Sequence, residues 1–81
     1  NDIRERFEMS LKELFQSQNF TQNDIVAELK KMNCYKYQQQ VSWWITGKFL
    51  PDAYSIWCLS KILGVSADEV LTASLKSAGR I

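Results

Sequence analysis

Phe20-Thr21-Gln22-Asn23-Asp24-Ile25-Val26 reads as the start of a helix with every local signal in place. Thr21 is a good N-cap, because its side-chain oxygen can accept one of the backbone N–H groups that a first turn leaves without a partner. Asp24 stands three residues on, where a capping-box carboxylate reaches back to the N-cap amide, and Phe20 and Ile25 occupy the two positions of a hydrophobic staple. The helix that begins here is expected to bury Ile25, Val26 and Leu29. Lys30 and Lys31 would complement the negative end of its dipole, and Asn33 would end it in the left-handed conformation.

The rest of the chain is punctuated in the same way. Toward the N-terminus, Phe7, Leu11, Leu14 and Phe15 recur at helical spacing among Arg4, Glu5, Glu8 and Lys12, which predicts a helix over residues 3–15 and a break at residues 17–19. Toward the C-terminus, Val41, Trp44 and Ile45 give residues 38–46 one inward face, and Gly47 stops that helix. Phe49-Leu50-Pro51 is expected to be extended, since the residue before proline is pushed out of helical geometry. Asp52 caps a fourth helix whose inward side is predicted to be Ala53, Ile56, Trp57, Leu59, Ser60 and Leu63, closed by Gly64. Ser66 and Glu69 then repeat the capping box, with Val65 and Val70 as its staple, and Leu71 and Leu75 continue an apolar side. Five short helices with no alternating strand pattern predict one all-α domain over residues 1–81.

Composition narrows the function. The 81 residues suit a single modest core, which three Trp, three Tyr and four Phe can fill without a disulfide or metal. Cys34 and Cys58 are far apart and there is no histidine, so no zinc-ligand spacing exists and two reduced thiols are expected. The absence of histidine also removes Ser-His and Cys-His chemistry, and with three glycines and no clustered carboxylates an enzyme is not expected. Neither a metal nor any other cofactor is implied. There is no apolar run of membrane-spanning length, and Asn1 to Arg6 is charged rather than signal-like, so a soluble cytoplasmic protein is expected, with no membrane partner. The net charge of +1 points to no particular partner; any electrostatic footprint must come from the placement of Lys30, Lys31, Lys36 and Lys48.

Thr21-Gln22-Asn23-Asp24-Ile25-Val26, the Thr46-Gly47-Lys48 stop after the third helix, and Leu63-Gly64-Val65-Ser66-Ala67-Asp68-Glu69-Val70-Leu71 together resemble the Cro/repressor type of helix-turn-helix domain, the lambda-repressor-like XRE family. The likeness covers most of the chain. It implies a compact five-helix fold with the helix-turn-helix at about residues 21–47, and a sequence-specific, repressor-like transcriptional regulator of bacterial or phage kind. Two departures stand out. The stretch between Ile25 and Val41 is about five residues longer than the compact family pattern, to be absorbed by a longer second helix or an enlarged turn, and Val26 replaces a small alanine.

The resemblance places the third helix in the major groove of double-stranded operator DNA. Gln38 and Gln39 on its first turn then face base edges, with Gln40, Ser42 and Trp43 nearby; a glutamine amide can pair with N6 and N7 of adenine. The bland alternative is a solvated polar turn. Gln22 is expected to contact a phosphate at the N-terminus of the second helix, Thr46 and Lys48 to do so after the third, and Lys36 to add positive charge to the same interface. Trp43 points outward, either to a thymine methyl or sugar edge or to cover neighbouring surface, while Trp44 and Trp57 are assigned to packing. Binding as a homodimer is implied by the family, with Leu71 and Leu75 either at the dimer surface or closing the base of the core. A protein-interaction module of the same fold, antitoxin-like or an assembly protein with a protein partner, is the competing reading, and the near-neutral charge favours it. The closing apolar residues Leu71, Leu75 and Ile81 also suit a piece of a larger regulator with a C-terminal sensing or oligomerising domain.

Overall fold

The structure, a computed structural model, describes residues 9–81. Their helices are α1 (Leu11–Ser17), α2 (Gln22–Lys31), α3 (Gln38–Thr46), α4 (Ala53–Leu63) and α5 (Ala67–Ser77), and no strand occurs among the described residues. The fold is all-α, as the periodicity and punctuation predict. No helix among the described residues is long and apolar enough to cross a membrane.

Three helices start on a capping box with both hydrogen bonds made, at Ser10–Glu13, Thr21–Asp24 and Ser66–Glu69. At Thr21 the backbone N–H donates to Asp24 Oδ2 at 2.9 Å and the Thr21 hydroxyl accepts from the Asp24 N–H at 3.1 Å. The first of these boxes corrects the predicted helix over residues 3–15. Ser10 is extended (φ −76°, ψ 169°), its N–H donates to Glu13 Oε1 at 2.8 Å, and the helix begins at Leu11. The preceding part of that expected helix, with Phe7, lies outside the described residues.

One apolar core draws on all five helices: Leu11, Leu14 and Phe15 from α1, Ile25 and Leu29 from α2, Val41 and Trp44 from α3, Cys58, Leu59 and Leu63 from α4, and Val70 and Ala73 from α5. The α5 helix packs on α1, α3 and α4, so the C-terminal helix forms the bed on which α3 rests. Polar clasps lock this arrangement. The Leu11 N–H donates to Ser77 Oγ at 3.0 Å, tying the start of α1 to the end of α5, and Gln18 Nε2 donates to the Leu63 carbonyl at 2.6 Å, tying the end of α1 to the end of α4.

On α4 the predicted inward side is partly wrong. Leu59, Ser60 and Leu63 are buried and Ile56 half-buried, but Ala53 and Trp57 are exposed, and Ser55 and Cys58 take the inner positions. Trp57 therefore does not pack in the core. It stacks on Tyr54, with ring centroids 6.0 Å apart, and carries the Lys61 ammonium 5.4 Å from its ring. The two serines fit inside because each satisfies its own hydroxyl locally: Ser55 donates to the Asp52 carboxylate and Ser60 to the Trp57 carbonyl, both at 2.6 Å.

Candidate nucleic-acid interface

The α3 helix has no charged residue and divides cleanly. Val41 and Trp44 are buried, and positions 38, 39, 42, 43 and 46 follow one another around its opposite, outward stripe. Gln38 and Gln39 are exposed on its first turn, and Ser42 is half-buried one turn on. Across from them stands Gln22, the first residue of α2. Gln22, Gln38, Gln39 and Ser42 together line a polar hollow of about 290 Å³ between the starts of the two helices. Residues sixteen apart in the chain are thereby brought to one small surface. Among the described residues, the three amides are not engaged in hydrogen bonds, so their donors and acceptors face outward uncommitted.

Two expected contacts are otherwise occupied. Gln40 accepts the Tyr37 N–H on its Oε1 at 2.9 Å, closing the start of α3. Lys36 is ion-paired to Asp52 Oδ1 at 3.2 Å, which spends its charge on joining the turn to α4. Burial works against the Asp52 carboxylate, but hydrogen bonds from Ser55 and Lys36 hold its pKa below the ordinary value.

The far end of α3 shows how Lys48 is placed. Gly47 is left-handed (φ 82°); its N–H donates to the Trp44 carbonyl at 3.3 Å, and the Lys48 N–H donates to the Trp43 carbonyl at 2.9 Å. This is the double hydrogen bond of a Schellman stop, which brings the residue after the glycine over the residue four positions before it. Here that contact is a cation over a ring: Lys48 Nζ lies 5.2 Å from the centroid of Trp43 and 5.9 Å from that of Phe49. Trp43, half-buried, meets Phe49 edge-on at 5.1 Å. Trp43 is a platform that carries Lys48. Phe49, about half exposed, is the partner missed in the sequence, although a glycine stop followed by Lys-Phe carries the signal for it. Thr46 is exposed, its hydroxyl donating to the Trp43 carbonyl at a long 3.4 Å.

Among the described residues, no carboxylate lines the polar hollow. Asp24, the nearest acidic residue at the start of α2, lies two positions from Gln22 and so about 200° around the helix. Its carboxylate is held below its usual range by hydrogen bonds from Thr21, first from the backbone and then from the side chain.

A turn rather than a longer α2 spans the stretch before α3. Met32 and Asn33 end α2, Asn33 in the left-handed conformation (φ 59°), and residues 34–37 run on without helical structure to α3. Compared with family models, with curated proteins and with solved structures, the chain finds no match in any of the three.

Proposed function

We propose that this chain is a sequence-specific DNA-binding regulator, repressor-like, which lays α3 in the major groove of double-stranded DNA. The observation that carries the reading is the meeting of Gln22 with Gln38, Gln39 and Ser42 on one surface that no carboxylate lines among the described residues. Gln38 and Gln39 would read base edges, for which a bidentate amide suits adenine, and Gln22 would hold a phosphate at the start of α2. Lys48, steadied over Trp43 and Phe49, would hold another phosphate beyond the opposite end of α3. Base reading is thereby flanked by two backbone contacts, the division of labour a groove-reading helix needs. The resemblance to the Cro/repressor family rests on the residues quoted for it and supports the same reading. A two-fold dimer follows in this proposal, and Leu71, exposed on α5, is the residue whose placement favours it. Selection of duplexes from a random pool by the chain at stated salt tests the reading: enrichment of a motif supports it, and failure to enrich any sequence rejects it.

The competing reading, a protein-interaction module, is favoured by the exposed Tyr54–Trp57 stack on α4. Aromatic pairs of this kind are enriched at protein interfaces. A chain that enriches no DNA motif but loses a protein partner on Trp57→Ala would fit that reading instead.

A further inference from the structure

The turn between α2 and α3 is held in a way that gives its alternate residues opposite tasks. On one side the Met32 carbonyl accepts the Tyr54 hydroxyl at 2.7 Å, Cys34 is buried with its Sγ 3.5 Å from Ser55 Oγ, and Lys36 is ion-paired to Asp52. Residues 32, 34 and 36 are thus fastened to the start of α4. An extended chain turns successive side chains to opposite sides. The intervening Tyr35 and Tyr37 accordingly stand out at 67% and 80% exposed, among the most exposed large side chains described; the Tyr35 hydroxyl donates to Asn33 Oδ1 at 3.3 Å. Core packing does not account for two tyrosines fixed so far out.

They do not stand alone. Val26, Lys30, Tyr35, Lys36 and Tyr37 line a second hollow of about 300 Å³. Gln22, Val26 and Lys30 are spaced by four and share one face of α2, so this hollow continues the line of the first, in which Gln22 meets Gln38 and Gln39. Tyr37, the N-cap of α3, joins the two. Lys36 is spent on Asp52 and Lys31 on Glu28, at 3.1 Å, whereas Lys30 is exposed and makes no ion pair among the described residues. Eight residues of helix separate Lys30 from Gln22 by about 12 Å, and phosphates recur every ~3.4 Å of axis along each strand of a duplex. A strand at Gln22 therefore offers a different phosphate at Lys30.

We propose that the enlarged turn is a second DNA-backbone contact, in which Lys30 and the Tyr37 hydroxyl hold phosphates of the strand that passes Gln22, with the rings of Tyr35 and Tyr37 against its sugars. The inference rests on the DNA-binding reading above. Charge complementarity of Lys30 with phosphate, and continuity with the glutamine surface, select the DNA backbone as the occupant. The additional residues of the turn thus lengthen the footprint on the α2 side of the recognition helix, without a further helix.

The test uses the full chain, the duplex it enriches from a random pool, and a random-sequence duplex of equal length, with Kd measured over a salt series. Lys30→Gln is expected to weaken binding to both duplexes and to lower the slope of log K against log salt by about one. Tyr37→Phe, which keeps the ring and loses only a hydroxyl, is expected to weaken binding about threefold to tenfold, and Tyr35→Ala, which removes a ring from the strand's path, to weaken it as well. Thermal melting checks that all three fold as the parent does. If the three variants bind like the parent while Gln39→Ala still changes base preference, the turn makes no contact and this inference is wrong, though the DNA-binding reading stands. If the parent enriches no sequence, both fall.

Discussion

Gly47, at the end of α3, lies directly against the backbone of Ser77, at the end of α5. A Cβ added at Gly47 would fall on the Ser77 carbonyl oxygen and stand 2.6 Å from its carbon and 2.7 Å from Ala78 Cα. The surface-presenting helix is therefore seated on the C-terminal helix through a residue that must lack a side chain, and whose φ of +82° also favours glycine.

Gly64 offers the matched control, being left-handed at φ +67° with nothing within 4 Å of an added Cβ. Gly64→Ala should cost about 1 kcal/mol, the penalty of the conformation alone. Gly47→Ala carries that penalty and a clash with backbone, and should cost about 2 to 4 kcal/mol. Urea denaturation of the two variants measures the difference; equal losses would mean that α3 and α5 do not meet there.

The three tryptophans should separate by burial. Trp44 is 5% exposed, and Trp44→Ala should cost about 3 to 5 kcal/mol. Trp43→Ala should cost about 1 kcal/mol, chiefly the ring contact with Phe49. Trp57→Ala, on an exposed face, should cost less than about 1 kcal/mol. A Trp57 loss as large as that at Trp44 would restore the inward assignment made from its spacing.

That assignment shows where sequence reasoning runs out. The capping boxes at Thr21 and Ser66, the bounds of α3, and the stops at Asn33, Gly47 and Gly64 are local chemistry, and the structure has each where the residues predict it. The α4 helix has Ala53, Tyr54, Ile56, Trp57, Cys58, Leu59, Ile62 and Leu63 nearly all round it, so apolar spacing cannot choose a face, and packing against its neighbours decides. At Ser10 the box was present in the sequence, but the apolar run from Phe7 through Leu14 masked it. The meeting of Gln22 with Gln38 and Gln39 was foreseen only through family resemblance. The form of the turn between them depends on Tyr54, Ser55 and Asp52 of a later segment, which no local pattern announces.

Two of the capping carboxylates make stability depend on acid. Glu13 is held below its ordinary pKa by the Ser10 backbone N–H and hydroxyl, and Asp24 by those of Thr21. With folded values depressed, the unfolded chain binds protons first. Their contribution is complete above the ordinary carboxylate range and is lost as pH falls through the lower folded values. Denaturation midpoints measured from pH 7 down to pH 2 should fall in that window, and Asp24→Asn and Glu13→Gln should each flatten the fall. An unchanged acid slope in both variants would show that these bonds do not hold the helix starts.

The most direct test of the account is to measure Gln39→Ala and Lys48→Ala on the duplex that the parent chain enriches, on its single-base-pair variants and over a salt series. The account predicts that Gln39→Ala costs about 1 to 3 kcal/mol on the preferred duplex and much less where one base pair is already changed. Lys48→Ala should weaken specific and random duplexes alike and lower the salt slope by about one. If both variants bind like the parent at every salt and on every duplex, α3 and its flanking lysine are not in the interface, and the account is contradicted.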